Sequence, residues 1–283
     1  MNNTKCAICN SHAILYKKGT ITQLSSNDLK ITDSQYGKHW QLWKCTNCHL
    51  VFAHPMPNKE YLIEQYKHMN DLDYSNEEAG RKKNFLRLLQ HLEKMKKDKG
   101  SLLDIGAASG LLLELAAKKG WKAEGIEPSL QLFQSGAAKQ LQLYHTSIEE
   151  FTAPGKYDAI TAIDVLEHLN DPEILISRIG KWLDENGLIC IVTPDISSLA
   201  ARIFRNRWWH FRPGHLYYFN RKSISFLLDK HGFRIIAIRS YIWHFSFSYL
   251  ISRLKIVPYR NFLRSLIIPL NLRDSMEIYA RRK

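Results

Sequence analysis

The chain has 283 residues, of which 45% are hydrophobic and 24% charged, a composition that excludes a low-complexity or disordered protein. The net charge of +13 is uneven, because residues 201–283 carry 17 basic and 3 acidic side chains. This imbalance favours an anionic partner: a phosphorylated small molecule, a nucleic acid or a membrane surface. The start lacks a signal peptide, and no apolar run approaches the roughly 18 residues that cross a bilayer. We therefore expect a cytoplasmic protein.

Four of the five cysteines form two C-x-x-C pairs, Cys6 with Cys9 and Cys45 with Cys48. Such pairs predict a zinc ribbon over residues 1–56, because each short turn directs two thiolates at one tetrahedral ion. Four thiolates complete the coordination sphere, so the predicted Zn²⁺ is structural. The alternatives are two disulfides, which the expected compartment disfavours, or four unrelated cysteines. Short strands of the ribbon are predicted at 13–16, 20–24 and 40–44.

Residues 57–99 predict two linking helices. The first covers about 55–66 and begins near Pro57-Asn58, and the second covers about 77–99, up to Gly100. Apolar residues at helical spacing indicate which face of the second helix is buried: Phe85, Leu88, Leu89 and Leu92.

The stretch LLDIGAASGLLLELAAKKGWKAEGIEP at 102–128 predicts strand, glycine turn, helix, strand and a final acidic residue. Its turn, Gly106 to Gly110, lacks the G-x-G-x-x-G spacing that cradles a pyrophosphate. Glu127 ends the second strand, where a carboxylate can accept both ribose hydroxyls. Asp104 lies inside the first strand, where a buried carboxylate needs a donor such as an ammonium group. A ligand with a ribose, an ammonium and no phosphate matches S-adenosylmethionine (SAM).

The order of the segments resembles that of class I SAM-dependent methyltransferases. The resemblance implies an α/β, Rossmann-like, seven-stranded sheet whose last strand is antiparallel, occupying residues 100–283 behind the small N-terminal zinc ribbon. The ribbon itself is similar to that of a subgroup associated with surface-polysaccharide and other specialised biosynthesis. The matching segments are 102–110, 124–129, 146–151, 157–172, 187–194, 232–240 and 275–283.

The same resemblance implies a set of SAM-binding residues. The glycine turn would contact the methionine part, Glu127 the ribose, the residues after the third strand the adenine, and those after the fourth strand the methyl-bearing side. The full set is Asp104, Gly106, Ala107, Ser109, Gly110, Glu127, Pro128, Ser147, Ile148, Asp164 and Val165.

Two histidines are candidate catalytic residues on the acceptor side. His168 follows the predicted fourth strand, and His215 lies in 208–220, just beyond the fifth. A hydroxyl acceptor must lose a proton, and a histidine can accept it near neutral pH. Alternatively, His168 organises its loop together with Glu167, and His215 is a structural link between the insertion and the core.

Two predicted insertions, at about 197–220 and 241–274, would form acceptor or lid elements. The first interleaves arginines with aromatic residues, which could stack bases, hold a sugar and phosphate, or roof the pocket. The second mixes apolar residues with Arg253, Lys255, Arg260 and Arg264. It is a candidate for peripheral contact with anionic lipid at the inner membrane face, or for a lid or dimer contact.

The sequence thus predicts a SAM-dependent methyltransferase that methylates an oxygen of a small, sugar-like or lipid-linked biosynthetic intermediate, itself anionic. One alternative is an RNA methyltransferase that uses the ribbon and the basic C-terminal third to bind phosphates. The motifs of amino-N and C5 base methylation are absent, which disfavours nucleobases, and Cys190 lies in an apolar strand as a core residue. A second alternative is a non-catalytic SAM-binding scaffold.

Overall fold

The computed structural model describes residues 4–30, 36–69, 74–253 and 265–283. It begins with three antiparallel strands, β1 (Ala13–Lys17), β2 (Leu42–Cys45) and β3 (Val51–Ala53). The predicted strands at 13–16 and 40–44 are thereby confirmed. The strand predicted at 20–24 is wrong, because the amides of Thr20 and Ile21 both donate to the carbonyl of His39 and form no ladder.

The two predicted linking helices are present as α1 (Lys59–Lys67) and α2 (Glu78–Met95). The side chain of Asn58 caps α1 by accepting a hydrogen bond of 2.8 Å from the amide of Tyr61. Helix α2 ends earlier than predicted: Lys96 has an extended backbone, and its ammonium lies 3.1 Å from Asp158. That ion pair holds the chain beside Asp158, just before the first strand of the main sheet begins.

The remaining elements alternate between strands and helices, as a doubly wound fold requires. In chain order they are β4 (Ser101–Ile105), α3 (Leu111–Lys118), β5 (Lys122–Glu127), α4 (Leu130–Ala137), β6 (Leu143–His145), β7 (Tyr157–Ile163), α5 (Pro172–Trp182), β8 (Leu183–Pro194), α6 (Leu199–Phe204), β9 (Tyr217–Tyr218), α7 (Arg221–Lys230), β10 (Phe233–Ser240), β11 (Trp243–Ser246), α8 (Phe247–Arg253), β12 (Ile267–Leu270) and β13 (Ser275–Arg282).

Seven of these strands form the main sheet in the order β10-β13-β8-β7-β4-β5-β6. Strand β13 is antiparallel to both of its neighbours, and the pairs among β4 to β8 are parallel. This confirms the predicted α/β, Rossmann-like class. Because β4, β5, β7 and β8 run in one direction, the segments that follow them meet at one edge of the sheet, where ligands of such folds bind.

The ribbon sheet has a fourth strand, β9, which comes from far along the chain. Val51 pairs with Tyr218 and Phe52 with Tyr217, and the amide of Ala53 donates to the carbonyl of Leu216 at 2.8 Å. The ribbon therefore packs directly on the segment 208–220 at the carboxyl edge of the main sheet. The predicted domain bounds stay predictions, but the ribbon and the methyltransferase core share one sheet.

The second predicted insertion contains the antiparallel pair β11–β12, which packs on α2. The amide of His244 donates to the side chain of Asn84 at 2.9 Å, and Gly80 lies against the carbonyl of His244. Lys255, Arg260 and Arg264 of the predicted basic surface lie outside the described residues. Of the helices in the described ranges, none is both long and apolar enough to cross a bilayer.

Candidate active site

The turn between β4 and α3 depends on glycine at its two ends. Gly106 and Gly110 have φ of 74° and 72°, in the left-handed region that favours glycine. A Cβ on Gly106 would lie 2.6 Å from Cγ2 of Val165, so glycine also allows the turn to approach the loop after β7. Ala107 and Ser109 are buried within the turn. Ala108 adopts φ of 48°, which an L-residue adopts less readily.

Glu127 is fixed against this turn from the end of β5. Its Oε2 accepts a hydrogen bond from the amide of Ala108 at 2.8 Å, and its Oε1 accepts one from the amide of Ser129 at 2.7 Å. Burial raises the pKa of Glu127 to about 7, although both amide bonds act to lower it. Each carboxylate oxygen keeps a second lone pair, so the predicted ribose contact is compatible with this arrangement.

Asp104 is buried inside β4, as predicted. Its partner is the hydroxyl of Thr161 on the neighbouring strand β7, which donates a hydrogen bond of 2.6 Å. Burial raises the pKa of Asp104 to about 7. A cationic ligand at this point would favour the ionised carboxylate, so the predicted contact with an ammonium group stays open.

The other predicted SAM residues follow β5, β6 and β7. Pro128 directly follows Glu127, and Ser147 and Ile148 are buried just after β6. Asp164 and Val165 follow β7, and Asp164 has φ of 52° while its amide donates to the carbonyl of Val192 at 3.0 Å. All eleven positions therefore lie in or next to the carboxyl ends of β4 to β7. Their individual roles in binding SAM stay predictions.

The two candidate catalytic histidines contact each other, although 47 positions separate them in the sequence. Their ring centroids are 4.6 Å apart at an interplanar angle of 85°. Burial lowers the pKa of His168 to about 4 and lowers that of His215 well below its usual range. Both imidazoles are therefore neutral near pH 7.

Three neighbours position these histidines, and the sequence predicts only one of them. Nδ1 of His168 lies 2.6 Å from the hydroxyl of Tyr66 and 2.9 Å from the carbonyl of Gly214. Glu167, foreseen only as a loop partner, is fully buried and accepts a hydrogen bond of 3.1 Å from Thr193 through Oε2. Tyr66 lies in α1 and Gly214 in the loop before β9, so local periodicity gives no signal for either contact.

A basic pocket of about 280 Å³ lies near the same edge of the sheet, beyond the end of β8. Three arginines and one aspartate supply its charge, with smaller residues completing the wall. They are Asp195, Arg221, Arg239, Ser240, Asn271, Arg273, Ser275 and Met276.

The four N-terminal cysteines converge, as a zinc site requires. Three Sγ–Sγ distances are 3.4–3.6 Å, close to the roughly 3.8 Å that a tetrahedral ion with Zn–S bonds of about 2.3 Å imposes. The amides of Asn47 and Cys48 point at Cys45 Sγ from 3.3 and 3.4 Å. The residue after each C-x-x-C has positive φ, at Asn10 and His49. Both turns thus have the same geometry, and the set fits one Zn²⁺.

A family model described as "Methyltransferase domain" matches residues 77–238, more than half of the chain. The chain belongs to this methyltransferase family. Its matched region covers β4, the glycine turn and the strands through most of β10, so the family assignment includes every predicted SAM residue. The predicted class I SAM-dependent methyltransferase is thereby confirmed.

Among curated proteins, the methyltransferase is similar to two called ubiquinone biosynthesis O-methyltransferase. That of Aromatoleum aromaticum is 32% identical over 102 residues, which is 32% of this chain and 43% of that protein. That of Azoarcus sp. is 29% identical over 100 residues, again 32% of this chain and 43% of that protein. The chain thus spans less than half the length of these relatives.

Two solved structures share the fold of this methyltransferase. A SAM-dependent methyltransferase from Clostridium acetobutylicum has a TM-score of 0.51 at 11% identity, covering 71% of this chain and 91% of that one. Magnesium protoporphyrin IX methyltransferase from Synechocystis, solved with bound S-adenosylhomocysteine (SAH), has a TM-score of 0.53 at 16% identity, covering 78% and 93%. At such identities the likeness concerns the fold.

Proposed function

We propose that this methyltransferase transfers the methyl group of SAM to a hydroxyl oxygen of a small biosynthetic intermediate. One observation carries the proposal: the turn held by Glu127 and the pair His168–His215 follow strands that end at one edge of the sheet. The O-methyltransferase names of the curated relatives support an oxygen acceptor. The match covers less than half of each relative, so we propose a class of acceptor and not a particular compound.

The reaction is an in-line displacement at the sulfonium methyl. The acceptor oxygen forms the new C–O bond, the C–S bond breaks, its electron pair stays on sulfur to give SAH, and the hydroxyl proton leaves. The protein's contribution is alignment of the reactants and help with the proton. His168 and His215 serve the acceptor hydroxyl, while Asp104, Glu127 and the glycine turn hold SAM.

The basic pocket supports an anionic acceptor. Arg221, Arg239 and Arg273 line it against the single carboxylate of Asp195, so a phosphate or carboxylate on the acceptor would be attracted there. Peripheral membrane contact through 241–274 has support from exposed apolar side chains at Phe247, Leu266 and Leu272. A lipid-linked acceptor is consistent with both features.

The ribbon cysteines would hold one structural Zn²⁺. With four thiolates, the ion has no open position for substrate, so its effect on catalysis is indirect. The ribbon carries Trp40, whose indole N–H donates to the carbonyl of Pro213 at 2.8 Å, two residues before His215. Ordering of the ribbon thereby supports the acceptor-side loop.

Radiolabelled methyl transfer tests the proposed reaction. The protein should transfer label from SAM to an extract of small hydroxylated metabolites or polyprenyl-linked intermediates. The labelled product should release no methanol in base, which cleaves methyl esters, and should yield labelled methyl iodide with hydriodic acid, which cleaves methyl ethers. If the label appears in RNA and the affinity of the protein for RNA falls steeply with salt, the acceptor is RNA and not a small molecule. SAM binding without turnover on any extract would favour a scaffold role.

A further inference from the structure

Buried acidic and imidazole side chains meet at the acceptor side of the site. We propose that Glu167, His168 and His215 bind one divalent transition-metal cation. The proposal deepens the acceptor-side role given to the two histidines and rests on the proposed function for its purpose. It is separate from the ribbon, whose ligands are thiolates.

The positions of the ligand atoms carry the first step. One potential ligand atom from each of Glu167, His168 and His215 lies within 4.8 Å of those of the other two. Nitrogen and oxygen ligands sit about 2.0–2.2 Å from such an ion, so two of them are at most about 4.3 Å apart. Small side-chain adjustments therefore suffice to close the three groups around one cation.

Unsatisfied buried atoms carry the second step. Oε1 of Glu167, Nδ1 of His215 and Oδ1 of Asp164 are all buried, and none makes a hydrogen bond to the described part of the chain. Glu167 has no exposed surface, and His215 is 4% exposed. Buried polar atoms in folded proteins nearly always have partners. Three such atoms in one loop cluster indicate a ligand that the side chains do not supply.

The hydrogen bonding of His168 suits a metal ligand. Nδ1 of His168 lies 2.9 Å from the carbonyl of Gly214, which can only accept, and 2.6 Å from the hydroxyl of Tyr66, which can accept from the same N–H. In the tautomer that serves both contacts from Nδ1–H, the lone pair of the neutral ring is on Nε2. A ring nitrogen fixed by a carbonyl is the usual arrangement for a metal-bound histidine. A Cβ on Gly214 would lie 3.2 Å from this Nδ1, so glycine permits the close approach.

Charge indicates a cation and its class. Glu167 is a carboxyl group with no exposed surface, and a buried carboxylate is stabilised by a cationic partner. Two imidazoles with a carboxylate favour Mn²⁺, Fe²⁺, Co²⁺ or Zn²⁺ over Ca²⁺.

The position of the cluster gives the cation a use in the reaction. Asp164 precedes Val165, the residue that contacts the glycine turn. A cation at this point can lower the pKa of a bound hydroxyl. His168 and His215 would then act as ligands, in place of the proton acceptor that the sequence predicted at His215.

Mn²⁺ alone is the probe, because thiolates of the ribbon compete poorly for this ion. Its binding is followed by electron paramagnetic resonance on folded full-length protein without SAM or acceptor. We expect one Mn²⁺ per chain, with binding weakened by about 10- to 100-fold or more in Glu167→Gln and His215→Ala. His91→Gln is the control, since His91 is a half-buried histidine on α2 that lies 2.6 Å from the carboxylate of Glu277 and is not one of the proposed ligands.

The outcome is decided independently of turnover. Fewer than one Mn²⁺ per chain in the wild-type protein at millimolar Mn²⁺, or unchanged binding in folded Glu167→Gln and His215→Ala, overturns the site. Where a variant fails to fold, the wild-type stoichiometry alone decides. If the protein binds Mn²⁺ but transfers no methyl group, the cation site stands and the proposed function is wrong. If it transfers methyl groups in the presence of a chelator and binds no Mn²⁺, the proposed function stands and the cation site is wrong.

Discussion

The phenolic oxygen of Tyr66 lies 2.6 Å from Nδ1 of His168, and this contact joins helix α1 to the acceptor side of the site. The two rings meet edge to face, with centroids 5.9 Å apart. Because the carbonyl of Gly214 contacts the same nitrogen, His168 is fixed from two separate segments. The linking helix therefore contacts the proposed acceptor side, although it lies outside the strands that carry the predicted SAM residues.

Removal of this hydroxyl should affect turnover more than SAM binding. Tyr66→Phe keeps the ring packing but loses one hydrogen bond, which is worth about 0.5–1.5 kcal/mol of unfolding free energy. We expect a reduced kcat with SAM affinity within about twofold, because the SAM residues lie on β4 to β7. Urea unfolding, calorimetry with SAM and methyl-transfer kinetics measure the three quantities.

Tyr61→Phe is the control for this prediction. Tyr61 lies on the same helix, but its hydroxyl donates to the carbonyl of Leu24, in the ribbon half of the chain. It should change stability without changing kcat. Equal kinetic losses in both variants would mean that α1 acts only through general stability.

Glu127→Gln should weaken SAM binding by about 1.5–3 kcal/mol, the scale of hydrogen bonds to a charged group. The substitution keeps one oxygen acceptor but replaces the other with a donor, which then faces the amide of Ala108 or Ser129. Calorimetry with SAM and SAH gives the loss, and NAD should not bind because the turn lacks the dinucleotide pattern.

Glu124→Gln is the matched control for Glu127→Gln, because both residues lie on β5. Glu124 accepts hydrogen bonds from Tyr144 and Tyr157 at the other end of β5 and is remote from the turn. Its substitution should leave SAM affinity unchanged. Tight SAM binding by Glu127→Gln, or tight NAD binding by the wild type, would refute the assigned role.

The seven-stranded sheet is implied by the resemblance to a known family, and the positions of the SAM motifs could be predicted because their signals are local. A glycine turn after a short apolar strand, followed by a strand that ends in an acidic residue, can be recognised from one continuous stretch of sequence. The contacts that could not be predicted join distant segments: Tyr66 with His168, His168 with His215, and β3 with β9. Each depends on how the loops pack after the sheet forms, which no periodicity in the chain records.

The strand wrongly predicted at 20–24 shows the same limit at shorter range. Thr20, Ile21 and Thr22 are β-branched and favour an extended backbone. A strand also needs a neighbouring strand with which to pair. In the structure this segment pairs with no strand, and the carbonyl of His39 accepts hydrogen bonds from two of its successive amides. Tertiary packing thereby overrides the local preference.

Cys45→Ser should release one zinc equivalent per chain and impair the acceptor side while SAM still binds. The ribbon contacts the loop around His215 through Trp40 and Ala53, whereas the SAM residues lie on the main sheet. We therefore expect lower kcat or higher acceptor KM with SAM affinity within about twofold. Metal analysis and calorimetry measure the two effects.

Cys190→Ala is the control for loss of a cysteine. Cys190 is buried in β8 and is remote from the four ribbon sulfurs, so zinc content should not change. Retention of all zinc by Cys45→Ser would contradict the predicted ligand set. Loss of SAM binding together with zinc would show that the ribbon is required for the whole fold.

Asp104 and Glu127 should each contribute stability to the SAM-free protein that is lost as pH rises from about 4 to about 7, whereas buried His168 and His215, whose pKa values are lowered, contribute in the opposite direction. Burial raises the pKa of both Asp104 and Glu127 to about 7, whereas unfolded carboxyls titrate near pH 4. Within this window these two carboxyls bind more protons in the folded state than in the unfolded state, so their contribution to the free energy of unfolding decreases with pH. The stabilisation is complete below the unfolded pKa values and is lost as pH rises through the folded ones.

Asp104→Asn isolates one of the two groups. Asparagine can still accept the hydrogen bond from Thr161 through its amide oxygen, but it does not titrate, so the fall in stability between about pH 5.5 and about pH 8 should be smaller. Urea unfolding at constant zinc gives both slopes, and the comparison cancels any loss of metal that the two proteins share. SAM should reduce the slope in the wild type, because its ammonium group favours ionised Asp104 and its binding then releases protons. Identical slopes in the two proteins would show that Asp104 ionises normally in the folded state.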